Sequence, residues 1–247
     1  MKNSTKLSVI IITKNEARNI RACLESIAWA DEIIIVDSGS TDQTVAICRE
    51  FTPLVYVHDW PGFGAQKNRA LDYATGDWVL SLDADERVTP ELREQLIDAM
   101  ADAEKDGFYL PRLSQFCGKF IRHSGWYPDY VLRLFKREKG RFSNDLVHES
   151  VIQQGRSGKL TSPLLHYSYL SGADVERKVD QYSSAAAQQM FNKGKTATRV
   201  DAPLRAVWAF LRTYCLRLGF LDGTAGFNIA RMNARTTYLK YKKLVNL

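Results

Sequence analysis

Asp83 and Asp85 follow the hydrophobic run Trp78-Val79-Leu80-Ser81-Leu82, with one alanine between them. Carboxylates at i and i+2 in a tight turn can converge on one hard divalent cation, which keeps some waters and bridges a ligand's phosphates. A lone Asp-x-Asp is weak evidence, since many such pairs only cap a turn. Here two other hydrophobic runs also end in polar clusters, Thr13-Lys14-Asn15-Glu16 and Asp37-Ser38-Gly39-Ser40. In open α/β sheets ligands bind at the carboxyl ends of the strands, so these three ends make one candidate rim. The rim carries no G-x-G-x-x-G and no G-x-x-x-x-G-K-[ST]. A dinucleotide oxidoreductase or a P-loop ATPase would need such a glycine-rich cradle.

The elements that must hold these residues alternate regularly. Residues 7–12 are a continuous apolar, β-branched run, as a buried parallel strand requires. Helical spacing follows over 17–27, a second buried strand over 32–36, and a helix over 44–51. Residues 54–57, 77–82 and 107–110 read as further strands, separated by helices from 63 to 74 and from 89 onward, the last with Pro90 in its first turn. This alternation predicts an α/β fold, a Rossmann-like, mostly parallel sheet with helices on both faces. After Pro111 the pattern changes to short strands near 131–135, 146–152 and 164–167. Helices are expected over 174–191, 203–220 and 224–244, as a C-terminal helical appendage.

With 247 residues the chain is long enough for one large domain and a small appendage. Its four cysteines, Cys23, Cys48, Cys117 and Cys215, show no C-x-x-C pair, which fits a reducing compartment. No apolar run reaches the ~18–20 residues of a membrane span. The first apolar run is cut off by Lys14-Asn15-Glu16 and reads as a strand, not as a signal peptide. The net charge of +6 is concentrated: residues 193–247 hold 11 Lys and Arg against two Asp, net +9, and the rest hold 23 basic and 26 acidic residues, net −3. Basic charge interleaved with Trp208, Phe210, Tyr214, Phe220 and Phe227 suits an anionic membrane surface or a nucleic acid.

Four segments, 9–16, 35–42, 65–70 and 82–86, together resemble family 2 glycosyltransferases of the GT-A fold, in the family's order and spacing. The resemblance implies a catalytic domain over 1–170, with a nucleotide-binding half (1–110) and an acceptor half (111–170), and a helical basic region over 171–247. It assigns Thr13, Asn15, Glu16 and Asp37 to the nucleotide, Lys67 to the diphosphate, Asp83 to the ribose side and Asp85 to a divalent metal, Mg or Mn. Asn144-Asp145-Leu146-Val147-His148-Glu149 resembles the segment holding the catalytic carboxylate. Glu149 is the candidate base that takes the acceptor's proton, with Asp145 and Asp129 as rivals, and His148 is placed to tune it. His166 matches a histidine that completes the metal site in some relatives. In Trp126-Tyr127-Pro128-Asp129, Trp126 is suited to stack on an acceptor sugar and Asp129 to bind a hydroxyl.

Over its full length the chain looks like a small bacterial subgroup that glucosylates lipopolysaccharide inner-core heptose. The segments that carry this are 127–135, 147–149, 165–169 and 218–227. The subgroup implies an inverting, metal-dependent hexosyltransferase with UDP-glucose as donor and a lipid-linked acceptor. It also implies a cytoplasmic enzyme, peripheral on the inner membrane, docked through Arg205, Arg212, Arg217 and the apolar residues beside them. Two other classes compete. A nucleotidyltransferase would need a glycine-rich, arginine-bearing first loop, absent here. A nucleic-acid-binding protein would use the basic tail but leave the acidic rim without a purpose.

Overall fold

The computed structural model describes residues 5–143, 150–169 and 171–247. In chain order the elements are β1 (Leu7–Thr13), α1 (Ile20–Ser26), β2 (Glu32–Asp37), α2 (Thr44–Phe51), β3 (Val55–Val57), α3 (Phe63–Tyr73) and β4 (Trp78–Asp83). β5 (Glu86–Val88), α4 (Pro90–Met100), β6 (Gly107–Phe116), β7 (Lys119–Phe120), β8 (Asp129–Lys136), β9 (Gly140–Phe142) and β10 (Val151–Gln153) follow. The last are β11 (Ser157–Lys159), β12 (Leu164–Tyr169), α5 (Gly172–Asn192), α6 (Asp201–Leu211) and α7 (Gly223–Val245). The chain divides into two compact units, residues 1–112 with 129–166, and residues 113–128 with 167–247.

In the first unit the predicted α/β fold is present. β3, β2, β1 and β4 lie side by side and run parallel. Side chains alternate along each strand and feed two separate cores. Leu7, Val9 and Ile11 of β1 join Ile33 and Ile35 of β2, Leu80 and Leu82 of β4, and the apolar faces of α1, α2 and α4. Ile10 and Ile12 join Ile34, Val36 and Val79 with Ala70, Leu71 and Ala74 at the end of α3. A period of two with both faces apolar is what a central strand requires, and it explains why these runs read as unbroken hydrophobic stretches. Beyond β4 the sheet turns antiparallel: β8 pairs with β4, and β6 with β8. β5, three residues long, pairs antiparallel with β12, and Glu86 stands opposite His166. Thr89 caps α4 by accepting from the Leu92 N–H, with Pro90 in the first turn, as predicted.

The second unit is built on α5, α6 and α7, with a small apolar cluster of Phe116, Ile121, Ala225 and Ile229. The expected division at residue 170 is replaced, because residues 113–128 join the helices. Buried Asp222 is the reason. Its carboxylate accepts from the backbone N–H groups of Arg122 and His123 and from the Ser124 hydroxyl, and its carbonyl accepts from Lys119 Nζ. The helix expected over 203–220 is also shorter. α6 ends at Leu211, a π-helical turn spans Arg212–Leu216, and Leu218 takes a left-handed conformation. The chain then brings the Gly219 carbonyl to within 1.8 Å of where a Cβ on Gly226 would stand. No side chain fits there, so the motif around Gly219, Asp222 and Gly226 is structural.

Candidate active site

The strand order reverses between β1 and β4, and such a reversal opens a crevice beyond the strands' carboxyl ends. A cavity of about 350 Å³ lies there, bounded by Thr13, Lys14 and Glu16, by Trp60 and Phe63 of the β3–α3 connection, and by the turn Asp83-Ala84-Asp85. A second cavity of about 410 Å³ shares Asp83 with it and reaches Lys67, Tyr109, Arg112, Tyr130 and Arg133.

Asp83 is gripped from several sides. Lys67 Nζ lies 3.0 Å from Oδ1. Arg133 Nη2 donates to Oδ2 at 2.5 Å and to Glu86 Oε1 at 2.6 Å. Glu86 Oε2 accepts the Asp83 backbone N–H at 3.0 Å, so side chains close a ring around the turn. Arg112 lies 3.7 Å from Glu86 and donates to Asp129 at 2.7 and 3.0 Å. Cations and anions therefore alternate in one row: Lys67, Asp83, Arg133, Glu86, Arg112, Asp129. Burial works against ionisation of Asp83, but Arg133 and Lys67 outweigh it and hold the carboxyl well below the usual carboxylate range. At Glu86 burial wins, reinforced by the Asp83 charge, and its carboxyl is raised although Arg133 opposes this.

This predicts a large stability effect for Arg133→Met. Removing one partner of a buried ion pair costs about 3–5 kcal/mol, because the other charges stay buried without compensation. Glu86 would then rise further. A carboxyl whose folded pKa exceeds its unfolded value gains folding free energy as pH falls through the folded value. The deficit should therefore be largest at neutral pH and narrow in acid. Urea unfolding at several pH values measures both; a deficit under 1 kcal/mol at pH 7 would show that the row contributes little.

Asp85 sits in the turn between β4 and β5, and its Oδ2 lies 3.4 Å from Nε2 of His166 on β12. The β5–β12 pairing is what carries a histidine so distant in sequence to the turn. Among the described residues no group of three or more His, Cys, Asp and Glu side chains gathers around one point. The protein's own donor set is thus a carboxylate oxygen and an imidazole nitrogen, and both fit Mg or Mn, which take their remaining ligands from water and phosphate. Glu16 lies at the same cavity. Burial raises its carboxyl, the Asp85 charge adds to this, and a hydrogen bond from Asn19 opposes it.

The other candidates divide. Thr13 lines the cavity, and its buried hydroxyl has no hydrogen-bond partner among the described residues. Asn15, in a left-handed conformation, spends its side-chain oxygen on the Thr41 N–H and so ties the ends of β1 and β2 together. Asp37 is fully buried and accepts from the Ser40 N–H and hydroxyl; it does not line the cavity. Trp126 packs against Phe116 and Tyr169 in the second unit. Asp129 pairs with Arg112. Glu149, His148 and Asp145 lie outside the described residues. Sequence reasoning missed Arg133, Arg112, Glu86, Trp60 and Phe63. Arg133 did leave a signal, as a lone charge inside the apolar strand Val131-Leu132-Arg133-Leu134-Phe135.

Residues 8–154 match the family model described as glycosyl transferase family 2. The chain is 31% identical over 255 residues to LpsC, a lipopolysaccharide core biosynthesis glycosyltransferase of Rhizobium meliloti (strain 1021), covering 95% of this chain and 93% of that protein. It is 30% identical over 252 residues to an uncharacterized glycosyltransferase of Rickettsia felis, covering 97% and 89%. Among solved structures, the mannosyltransferase PcManGT from Pyrobaculum calidifontis, in complex with GDP-Man and Mn2+, shares the fold: TM-score 0.57 over 98% of this chain and 88% of that one, at 16% identity.

Proposed function

Since the chain belongs to glycosyl transferase family 2 and has the GT-A fold, we propose that it moves glucose from UDP-glucose to a lipopolysaccharide inner-core heptose, with inversion. The observation that carries the reading is the Asp83–Asp85 turn, which closes one end of the cavity at the strand reversal and sets Asp85 beside His166. Similarity to LpsC over nearly the whole chain supports the lipopolysaccharide acceptor.

The chemistry is a single displacement. The acceptor hydroxyl oxygen bonds to the anomeric carbon as the bond from that carbon to the diphosphate oxygen breaks. The proton of the hydroxyl passes to Glu149, and UDP departs. Asp85 and His166 would hold a divalent metal, which would neutralise charge on the leaving diphosphate. Lys67 and Arg133 keep Asp83 ionised and fixed, so the turn keeps its shape as that charge develops. The test is a screen of UDP-glucose, UDP-galactose and UDP-N-acetylhexosamines against lipopolysaccharide from a heptose-terminated strain, read by mass. A gain of one hexose from UDP-glucose alone is expected, and no gain from any donor would overturn the reading.

Docking at an anionic membrane leaflet completes the proposal. Val200, Leu204, Val207, Trp208 and Leu211 recur at the spacing of one helical face on and beside α6, and all are exposed, Leu204 to 66%. Arg199, Arg205 and Arg212 flank that row. Among the described residues no helix is long and apolar enough to cross a membrane, so the face suits insertion at an interface. Arg205 already pairs with Asp201, and Arg217 packs on Gly125, so the apolar residues make the cleaner variant. Leu204→Ser with Trp208→Ser should release the protein from phosphatidylglycerol vesicles, lowering binding about tenfold or more. Turnover of a soluble heptose acceptor should stay unchanged. Unchanged vesicle binding would exclude this face.

A further inference from the structure

In the second unit α5 and α7 run side by side. Glu176 pairs with Arg235 and, further along both helices, Asp180 pairs with Lys243, so the two point the same way. The seam between them is not filled. A cavity of about 220 Å³ lies there, with the volume of roughly seven waters, although packed interiors leave few voids larger than one. Its walls are of two kinds. Phe116 and Val179 are buried and Val175 and Met232 half-buried, and together they make an apolar floor. Asn228, Arg231 and Arg235 are exposed at the rim, spaced as one face of α7. Glu176 already neutralises Arg235. Arg231 has no carboxylate partner and no hydrogen bond among the described residues.

We propose that this cavity binds a single-chain amphiphilic anion, an alkyl carboxylate or alkyl phosphate, with its chain between α5 and α7 and its head group on Arg231. A floor that gains from apolar surface and a rim that gains from negative charge together select such a molecule. A neutral hydrocarbon would leave Arg231 unanswered, and a small inorganic anion would leave the floor wet. Volume sets the number of chains. Pockets for drug-sized ligands run to about 300–1,000 Å³, so one short chain fits here and the paired chains of a bilayer lipid do not. Met232 suits the role, because its flexible thioether side chain adapts to the shape of an occupant. An occupied cavity would join α5 to α7 more firmly, so the thermal midpoint should climb with ligand concentration. The site uses none of the residues assigned to sugar transfer and stands or falls apart from that reading.

Two cysteines make the test specific. Cys117 lines the cavity and is exposed, whereas Cys215 is exposed and does not line it. Iodoacetamide labelling of the full chain, read by peptide mass, therefore carries its own control. The probes are decanoate, decyl phosphate and decyltrimethylammonium, each below its micelle concentration. At least one anion should slow labelling of Cys117 several-fold and leave Cys215 unchanged, and the stronger of the two identifies the head group. The cation of equal chain length should not protect. Arg231→Met keeps the apolar stem and removes the charge, so protection should need about 10-fold more anion or higher. Gly172 opens α5 at the cavity, and nothing lies within 4 Å of where its Cβ would be. Gly172→Leu should fill the space and abolish protection with the thermal midpoint retained. No protection by either anion, equal protection by the cation, or protection unchanged in Arg231→Met would overturn the proposal. Slowing of Cys117 and Cys215 alike would be general detergent action and would overturn it too.

Discussion

Asp85→Ala should lower sugar transfer by at least about 10³-fold, because charge neutralisation on a leaving diphosphate is worth several kcal/mol in the transition state. The fold should survive. Asp85 occupies a turn whose shape depends on other groups: Glu86 holds the Asp83 N–H, and Arg133 and Lys67 hold its carboxylate. The loss should appear with the thermal midpoint almost unchanged and with Mn2+ affinity reduced in calorimetry. Excess chelator should give the same loss in the wild type. Full activity in chelator would remove the metal from the mechanism, while an active Asp85→Ala enzyme that still needs metal would move the ligand elsewhere.

Glu149→Gln should slow transfer by about 10²–10⁴-fold, the usual loss when one general base is removed. The amide keeps the size and much of the hydrogen bonding of the carboxylate but cannot take a proton. UDP and metal affinity should therefore match the wild type, and the defect should fall on kcat. A rate near that of the wild type would pass the role to Asp145. Asp129 is the weaker rival, since its carboxylate already accepts two hydrogen bonds from Arg112. A β-linked product from the α-linked donor is expected, and retention would rule out single displacement.

The parallel half of the sheet was legible because each of its strands is buried on both faces, and Leu7–Thr13 or Glu32–Asp37 can be nothing else at that length and composition. α2 and α7 also lie close to where their spacing placed them. β5 was not legible. Three residues give no periodicity, and Glu86-Arg87-Val88 reads as the end of a turn until β12 pairs with it. The helix expected over 203–220 runs too far because residues 212–218 contain no Gly or Pro to mark a stop; in the structure a π-helical turn and the left-handed Leu218 end it before the close approach of Gly219 to Gly226. At the site, the carboxylate turn was visible and its support was not. Arg133, Arg112 and Glu86 come from three strands, and only the sheet order β8-β6-β12-β5 sets them in line. Asp37 and Trp126 have residue types that suit ligands, and the structure adds partners within the protein that the sequence did not reveal, Ser40 for Asp37 and Phe116 and Tyr169 for Trp126.

The alternating row from Lys67 to Asp129 also constrains how the gene can drift. A change of one sign in the row sets two like charges beside each other in a poorly solvated place, and a neutral replacement leaves an odd charge behind. Substitutions at 67, 83, 86, 112, 129 and 133 should therefore be rare singly and should arrive in compensating pairs of adjacent members. The Asp129 end has more freedom than the middle, since Asp129 is about half exposed and water can take over from a lost partner, whereas Glu86 meets no solvent and Lys67 at the other end is buried. Descendants of a common ancestor should thus vary first at Arg112 and Asp129 together, and last at Arg133 and Glu86.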